Sequence, residues 1–276
     1  MAKHNVVMLY GQVVQKPRIF KNDQGEYFRG MCPLNVLRGV RDTGYVDKLQ
    51  YDCPVVMTSN LDLIREMDSW EQYDMVEIKG TIATKEVRKS TPCPHCGHKN
   101  IANGNVVYVN PIYMGRREHN ITREEGLELL KKRVEISNQV MVVGTLCRDP
   151  EEYQTAKGQS IVQYQLAVNR KFHVKEDAPD IRTDYPWVKV YGKNALSDLQ
   201  SLHTGSVVLV DGMLQHRNIE RTSICSECGT EYKWNDSALE IVPYSVEYLQ
   251  NFVTQTELDE QASKEAESLA NQILSS

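Results

Sequence analysis

The stretch NVVMLYG at residues 5–11 returns 133 positions later as NQVMVVG at residues 138–144. Asn and Gly bracket both copies, and Gly25 has its counterpart, Gly158, at the same offset of 133. Farther on, Gly80 recurs as Gly212, and the run Cys93, Cys96, Gly97 recurs as Cys225, Cys228, Gly229, all at an offset of 132. So little drift over so long a span marks a duplicated domain, and the period is far too long for a helical repeat or a propeller blade. The 276 residues therefore divide into two copies at 1–118 and 137–250, a connector at 119–136 and an acidic tail at 251–276.

Each copy reads mostly as strand. In the second, Val140, Val142 and Gly144 begin one strand, Lys157-Gly158 marks a hairpin, and Ile161 to Asn169 forms the next strand. Tyr185 to Tyr191 is a third, and Asn194 to Leu202 is the helical stretch within the copy. Val207 to Leu214 and Ala238 to Tyr248 return to strand on either side of the Cys insert. Three strands, a short helix and two more strands is the order of an OB fold, a five-stranded Greek-key barrel. The first copy repeats it, with Leu61, Ile64 and Met67 on the helix and Met75 to Ala83 as the fourth strand. The expected fold is mostly β: two tandem OB folds, each with a C-x-x-C hairpin insertion between strands four and five. In the connector, TREEGLELLKKR at residues 122–133 places Leu127, Leu130 and Val134 at helical spacing behind Thr122 as N-cap. A second helix, or a charged and frayed tail, is expected around Leu258, Ala262, Leu269 and Ile273.

The run from Asn138 through Gly144 to Asp149, Pro150 and Glu151, then Thr155, Gly158 and Leu166-Ala-Val-Asn-Arg170, closely resembles bacterial single-stranded DNA-binding proteins. Tyr191-Gly192-Lys193 and Gly205-Ser206 through Asp211-Gly212 extend the resemblance over most of residues 137–249. The first copy keeps Asn5, Gly11, Pro17, Gly25, Leu34 and Gly80 but lacks the Asp-Pro-Glu turn and the Gly-Lys after the third strand. The resemblance implies a non-enzymatic protein that coats and protects single-stranded DNA in replication, recombination or repair, or mobile-element transfer. It also implies an oligomer, since a homodimer of such chains would bring together four OB folds. The family's usual acidic C-terminal tip with its terminal Phe, which recruits repair and replication enzymes, has no match in the closing residues Gln272 to Ser276.

A general binder of single strands needs cations for phosphates and rings on which bases stack. With a period of two, Tyr185, Trp187, Lys189 and Tyr191 share one face of the third strand, and Val188 and Val190 share the other. The valine side is expected in the core and the aromatic side on the binding surface. Asn169, Arg170, Lys171 and Phe172 end the second strand where the resembling family places basic and aromatic contacts, and Lys193 follows the third. The corresponding region of the first copy offers Arg38, Arg41, Tyr45, Lys48 and Tyr51.

Of seven cysteines, Cys32, Cys53 and Cys147 lie in apolar stretches and are expected in the core. The other four form the knuckles Cys93-Pro-His-Cys96-Gly97 and Cys225-Ser-Glu-Cys228-Gly229, in which two thiolates can share a metal. Structural Zn²⁺ takes four ligands and each knuckle supplies two, so the parsimonious arrangement is one shared four-cysteine site. The same site between two chains, a separate site completed by His95 and His98, a disulfide, and two metal-free loops are the alternatives.

Lys and Arg number 32 against 37 Asp and Glu, a net charge of −5. Much of that excess lies in the tail, where Glu257, Asp259, Glu260, Glu265 and Glu267 face Lys264, so the pI does not argue against a local basic surface. No apolar run is long enough for a bilayer and no leader pattern opens the chain, so a cytoplasmic protein is expected. An H-x-E with downstream P-C-x-x-C, an H-E-x-x-H and a phosphate-binding Gly-Lys loop are missing, which argues against an enzyme. An RNA-binding or protein-recruiting OB module, such as a primosome or transcription accessory factor, is the other reading.

Overall fold

Apolar residues at every second position build the barrel strands of both copies, and side-chain caps start two of the four described helices. The computed structural model describes residues 4–39, 50–154, 158, 160–172, 182–251 and 263. The first half contains β1 (Asn5–Val13), β2 (Arg18–Lys21), β3 (Tyr27–Leu37), β4 (Tyr51–Asp52), β5 (Val55–Thr58), α1 (Leu61–Asp68), β6 (Met75–Pro92) and β7 (Lys99–Glu118). The connector holds α2 (Arg123–Lys132) and α3 (Val134–Ser137). The second half contains β8 (Asn138–Leu146), β9 (Glu151–Gln154), β10 (Ser160–Asn169), β11 (Thr183–Asp184), β12 (Trp187–Tyr191), α4 (Lys193–Ser201), β13 (Val207–Ile224) and β14 (Glu231–Gln250). Asn60 caps α1 by accepting from the backbone of Asp62 and Leu63, and Thr122 and Glu125 form a reciprocal capping box on α2.

Strand pairing closes a five-membered ring in each half. In the first, β1 pairs with β3, β3 with β5, β5 with β7, β7 with β6 and β6 with β1. In the second, β8, β10, β12, β14 and β13 repeat that circuit. The closing contact is parallel in both, Val56 opposite Val109 and Val188 opposite Ile241, while the other pairings are antiparallel. This is the OB barrel, present twice.

The barrels are not separate beads. β1 and β8 pair antiparallel, with Val7 opposite Val140, and so join both rings into one 14-stranded sheet. Val7 and Val140 are themselves equivalent in the repeat, so a local two-fold passes between them. Asn5 and Asn138 flank this axis. Each caps the ladder of its own barrel from a buried position: Asn5 with the N–H (2.8 Å) and C=O (3.0 Å) of Ile82, and Asn138 with those of Leu214 (2.9 and 2.8 Å). A single cluster of buried side chains, including Val7, Leu9, Ile78, Val140, Val142 and Val210, runs through the junction.

Strands four and five continue well past the barrels. The expected ends at Ala83 and Leu214 are overrun to Pro92 and Ile224, as β6/β7 and β13/β14 extend into two-stranded ribbons whose tips carry the Cys knuckles. Their outer segments are mostly polar, so no long apolar stripe announces them. Gly80 and Gly212 sit at register shifts within the fourth strand of each barrel, a few residues before the ribbons begin. A Cβ there would approach the carbonyl oxygens of Asn110 and Val242 at 2.5 and 2.3 Å, which accounts for glycine at both positions.

Two expectations need correction. Cys32 is buried, but Cys53 is only half-buried and Cys147 is exposed, because β8 ends at Leu146 and the next residue has left the barrel. The third strand of the second ring starts at Trp187, and Tyr185 precedes it. The tail helix lies outside the described residues, Asn251 and Ser263 apart. Asn138→Ala strands a buried N–H and a buried C=O of Leu214. It is expected to lower unfolding free energy by about 2–3 kcal/mol, measured by urea denaturation.

Candidate nucleic-acid interface

The face of β12 that carries Trp187 is graded in exposure. Val188 and Val190 are buried as the alternation requires, Tyr185 is 48% exposed, and Trp187 and Tyr191 are half-buried. Arg148 lies over the Trp187 ring, 5.2 Å from its centroid, leaving the stack one cation deep on that side. Lys189 corrects the expectation of a phosphate contact. It is only 3% exposed, with its Nζ 4.0 Å from Glu240 and 4.8 Å from the Tyr153 ring centroid. Burial lowers its pKa against the pull of Glu240, while Arg217 also holds that carboxylate at 2.8 Å. The row therefore closes over at its Lys189 end, and Tyr191 donates to Gln215 there at 3.3 Å.

Two arginines expected to meet phosphates turn inward instead. Arg170 is 1% exposed and pairs with buried Asp184 at 2.5 Å, and Asp184 also accepts from the backbone N–H of Thr84 at 2.7 Å in the other half. Arg38 holds Asp52 through two nitrogens, at 2.5 and 3.0 Å, and Asp52 accepts from the backbone N–H of His216 at 2.8 Å. Every member has its repeat equivalent 132 residues away: Arg38 and Arg170, Asp52 and Asp184, Thr84 and His216. These are twin locks, each reaching from one barrel to the ribbon root of the other. The recurrence was visible in the sequence, but a basic residue at a strand end carries no mark of whether it faces water or a buried carboxylate.

Among the other expected residues, Lys171 and Phe172 are exposed, and Asn169 accepts from the Thr183 hydroxyl at 2.8 Å. Tyr51 is exposed on β4. Lys193 opens α4, and Arg41, Tyr45 and Lys48 lie outside the described residues.

The structure adds residues that the sequence pattern did not single out. A groove of about 620 Å³ runs between the two ribbons, and its walls include Tyr185, Trp187, Trp234, Arg221 and Lys89. Trp234 is half-buried and donates through Nε1 to Ser223 at 2.9 Å, while Lys89 and Arg221 share the carboxylate of Asp236. In the first half, Phe20 and Phe28 are exposed with ring centroids 6.1 Å apart. Arg29 stands over Phe28 at 5.7 Å and Lys21 over Tyr27 at 4.8 Å. The only sequence signal for that patch is a pair of rings straddling the Gly25 hairpin.

At the ribbon tips the four knuckle sulfurs come together from both halves, all within 4.8 Å of one another. Hydrogen bonding from Thr230 brings the Cys228 thiol down to about 5. At Cys96 the backbone hydrogen bond at His98, which favours the thiolate, is outweighed by desolvation and the neighbouring thiols, and the group is pushed up to about 12.

If Arg170 is a lock and not a phosphate contact, Arg170→Met leaves Asp184 buried without its partner. It is expected to cost about 3–5 kcal/mol of stability in chemical denaturation, a loss that does not depend on nucleic acid.

The geometry places two OB barrels, stackable rings and flanking cations in one chain. The family model described as the single-strand binding protein family matches residues 137–234. Single-stranded DNA-binding protein 1 of Chlorobaculum tepidum is 37% identical over 81 residues, which is 29% of this chain and 50% of that protein. Single-stranded DNA-binding protein B of Bacillus subtilis is 37% identical over 83 residues, 30% of this chain and 72% of that protein. The match thus spans half the length of the Chlorobaculum protein and most of the Bacillus one. The crystal structure of the wild-type single-stranded DNA binding protein from Thermus aquaticus superposes with a TM-score of 0.58 at 17% identity, covering 92% of this chain and 97% of that one. That likeness extends the shared fold over both halves, and the sequence match identifies the lineage: the chain belongs to the single-strand binding protein family.

Proposed function

We propose that this protein binds and coats single-stranded DNA without sequence preference. The observation that carries the reading is exposed Tyr185 next to half-buried Trp187, whose ring Arg148 overlies, on the half that matches the family. A duplex hides its base faces, whereas a single strand offers them to such rings, with phosphates following the cations. Lys171 and Phe172, also exposed, extend this surface at the end of β10, and Phe20, Phe28 and Arg29 give the first half a smaller patch of the same chemistry. The role is non-catalytic, since stacking and charge neutralisation are all it requires. Replication, recombination or repair, and mobile-element transfer are the settings in which such a coat is needed, in the cytoplasm.

Two chains are proposed to pair and present four barrels. Met8 and Met141, repeat equivalents exposed at 42% and 39% near the centre of the shared sheet, offer apolar surface for that contact. Among the described residues no helix is long and apolar enough to cross a membrane.

The test is titration of the protein with fluorescent oligo-dT, competed by matched duplex DNA and by oligo-U, at two salt concentrations. Preferential binding of oligo-dT, a marked salt slope and quenching of tryptophan emission are expected. Trp187→Ala is expected to weaken binding by about 1–3 kcal/mol and to remove much of the quenching while the melt stays cooperative. Preference for oligo-U would move the reading to RNA, and absence of binding at low salt would move it to a protein-recruiting module.

A further inference from the structure

Two-stranded ribbons are marginal in water unless something else holds them. Here the two ribbons are fastened to each other along their length. Lys89 of one pairs with Asp236 of the other. The Thr91 hydroxyl meets the Tyr232 hydroxyl at 2.8 Å, and Tyr232 also donates to the Thr91 carbonyl at 3.1 Å. Asn100 accepts from the N–H and hydroxyl of Ser226, both at 2.9 Å, so one ribbon braces the knuckle of the other.

The fastening leads to the sulfurs. Cys93 Sγ lies 3.8 Å from Cys228 Sγ, and Cys96 Sγ lies 3.6 Å from Cys225 Sγ, so each of these close pairs spans both halves. Sulfurs placed tetrahedrally at about 2.3 Å from Zn²⁺ are separated by about 3.8 Å, whereas a disulfide needs about 2.05 Å. The surrounding turns match. In one, Gly97 N–H donates to Cys93 C=O at 2.9 Å, with Gly97 at φ 75°; in the other, Gly229 N–H donates to Cys225 C=O at 3.0 Å, with Gly229 at φ 69°. A left-handed residue after each second cysteine lets the chain wrap back around both thiols, a conformation that favours glycine.

We propose that Cys93, Cys96, Cys225 and Cys228 of one chain bind a single Zn²⁺ that clamps the two ribbons together. Four soft thiolates in a tetrahedron suit this ion, and they leave no open position for water or substrate, so its role is structural. The clamp cross-links residues that are more than a hundred positions apart in sequence, where restriction of the unfolded chain is large. It also fixes the spacing of the ribbons at their far ends, beyond the groove that holds Trp187 and Trp234.

The experiment uses the full chain, purified without added metal, dialysed against a mild chelator and assayed for zinc and iron by mass spectrometry. One zinc per chain and no iron are expected, with the ratio unchanged at protein concentrations where light scattering finds only monomer. After cobalt replaces zinc, the strong visible absorption of tetrahedral thiolate coordination is expected. Cys93→Ser and Cys225→Ser should each lose the metal in the same dialysis, whereas Cys147→Ser, at an exposed cysteine away from the cluster, should keep it. Hydrogen exchange on the metal-free wild-type chain should then rise in both ribbons at once while the barrels stay protected, a readout that does not depend on how the variants fold. Zinc retained by either knuckle variant, iron in place of zinc, or metal present only in dimers would each overturn the proposal. None of these measurements involves nucleic acid, so they stand whatever the outcome of the binding titration.

Discussion

The antiparallel pairing of β1 with β8 is the contact on which the remaining architecture rests. A barrel opened at one strand would leave a row of unsatisfied backbone groups, and here each barrel meets the other along such a row instead of meeting water. Because the axis of that pairing relates equivalent residues, the arginine–aspartate contact that reaches across from one half is answered from the other. Arg38 with Asp52 reaches the backbone of His216, and Arg170 with Asp184 reaches that of Thr84. The two ribbons leave their barrels at equivalent positions, near Thr84 and His216, and so arrive side by side, with their knuckles at the same height. The sulfur cluster is a consequence of the sheet junction, and it lies far from that junction.

Symmetry of framework has not meant symmetry of surface. The position that carries Phe20 in the first half carries Tyr153 in the second, where the ring is half-buried beneath the ammonium of buried Lys189. Conversely, the aromatic pair Tyr185 and Trp187 lies in the second half. A duplicated fold keeps the residues that hold its pairings and is free to vary the outward rings, so the two halves offer different chemistry on one scaffold.

Much of the fold was legible in the sequence because glycine and asparagine at strand junctions do jobs few other residues can do, and they recur. The duplicated barrels follow from such positions, the capped connector helix from Thr122 and the spacing of Leu127 and Leu130, and the convergence of the two knuckles from their recurring cysteine pairs. What was not legible shares one physical cause. Periodicity tells which side of a strand a residue occupies but not what the neighbouring barrel lays over that side. Lys189 stands in an outward row and is covered by Glu240 and Tyr153; Arg38 and Arg170 end their strands and turn to buried carboxylates. The ribbons were underestimated for the related reason that the faces they turn to each other are covered mostly by polar residues, which give no apolar alternation long enough to count. Trp234, Arg221 and Lys89 lie on those hidden lengths.

The placement of β1 at the centre of the sheet bears on how the chain is made. β1 is completed by β6 on one side and by β8 on the other, and β8 starts at Asn138, long after β1 has left the ribosome. During that interval the first barrel can close, but the Asn5–Leu9 edge that awaits β8 remains a free template, to which a neighbouring nascent chain could add a strand. Joining both halves in one polypeptide keeps the correct strand at high local concentration as soon as it emerges, so covalent linkage protects assembly.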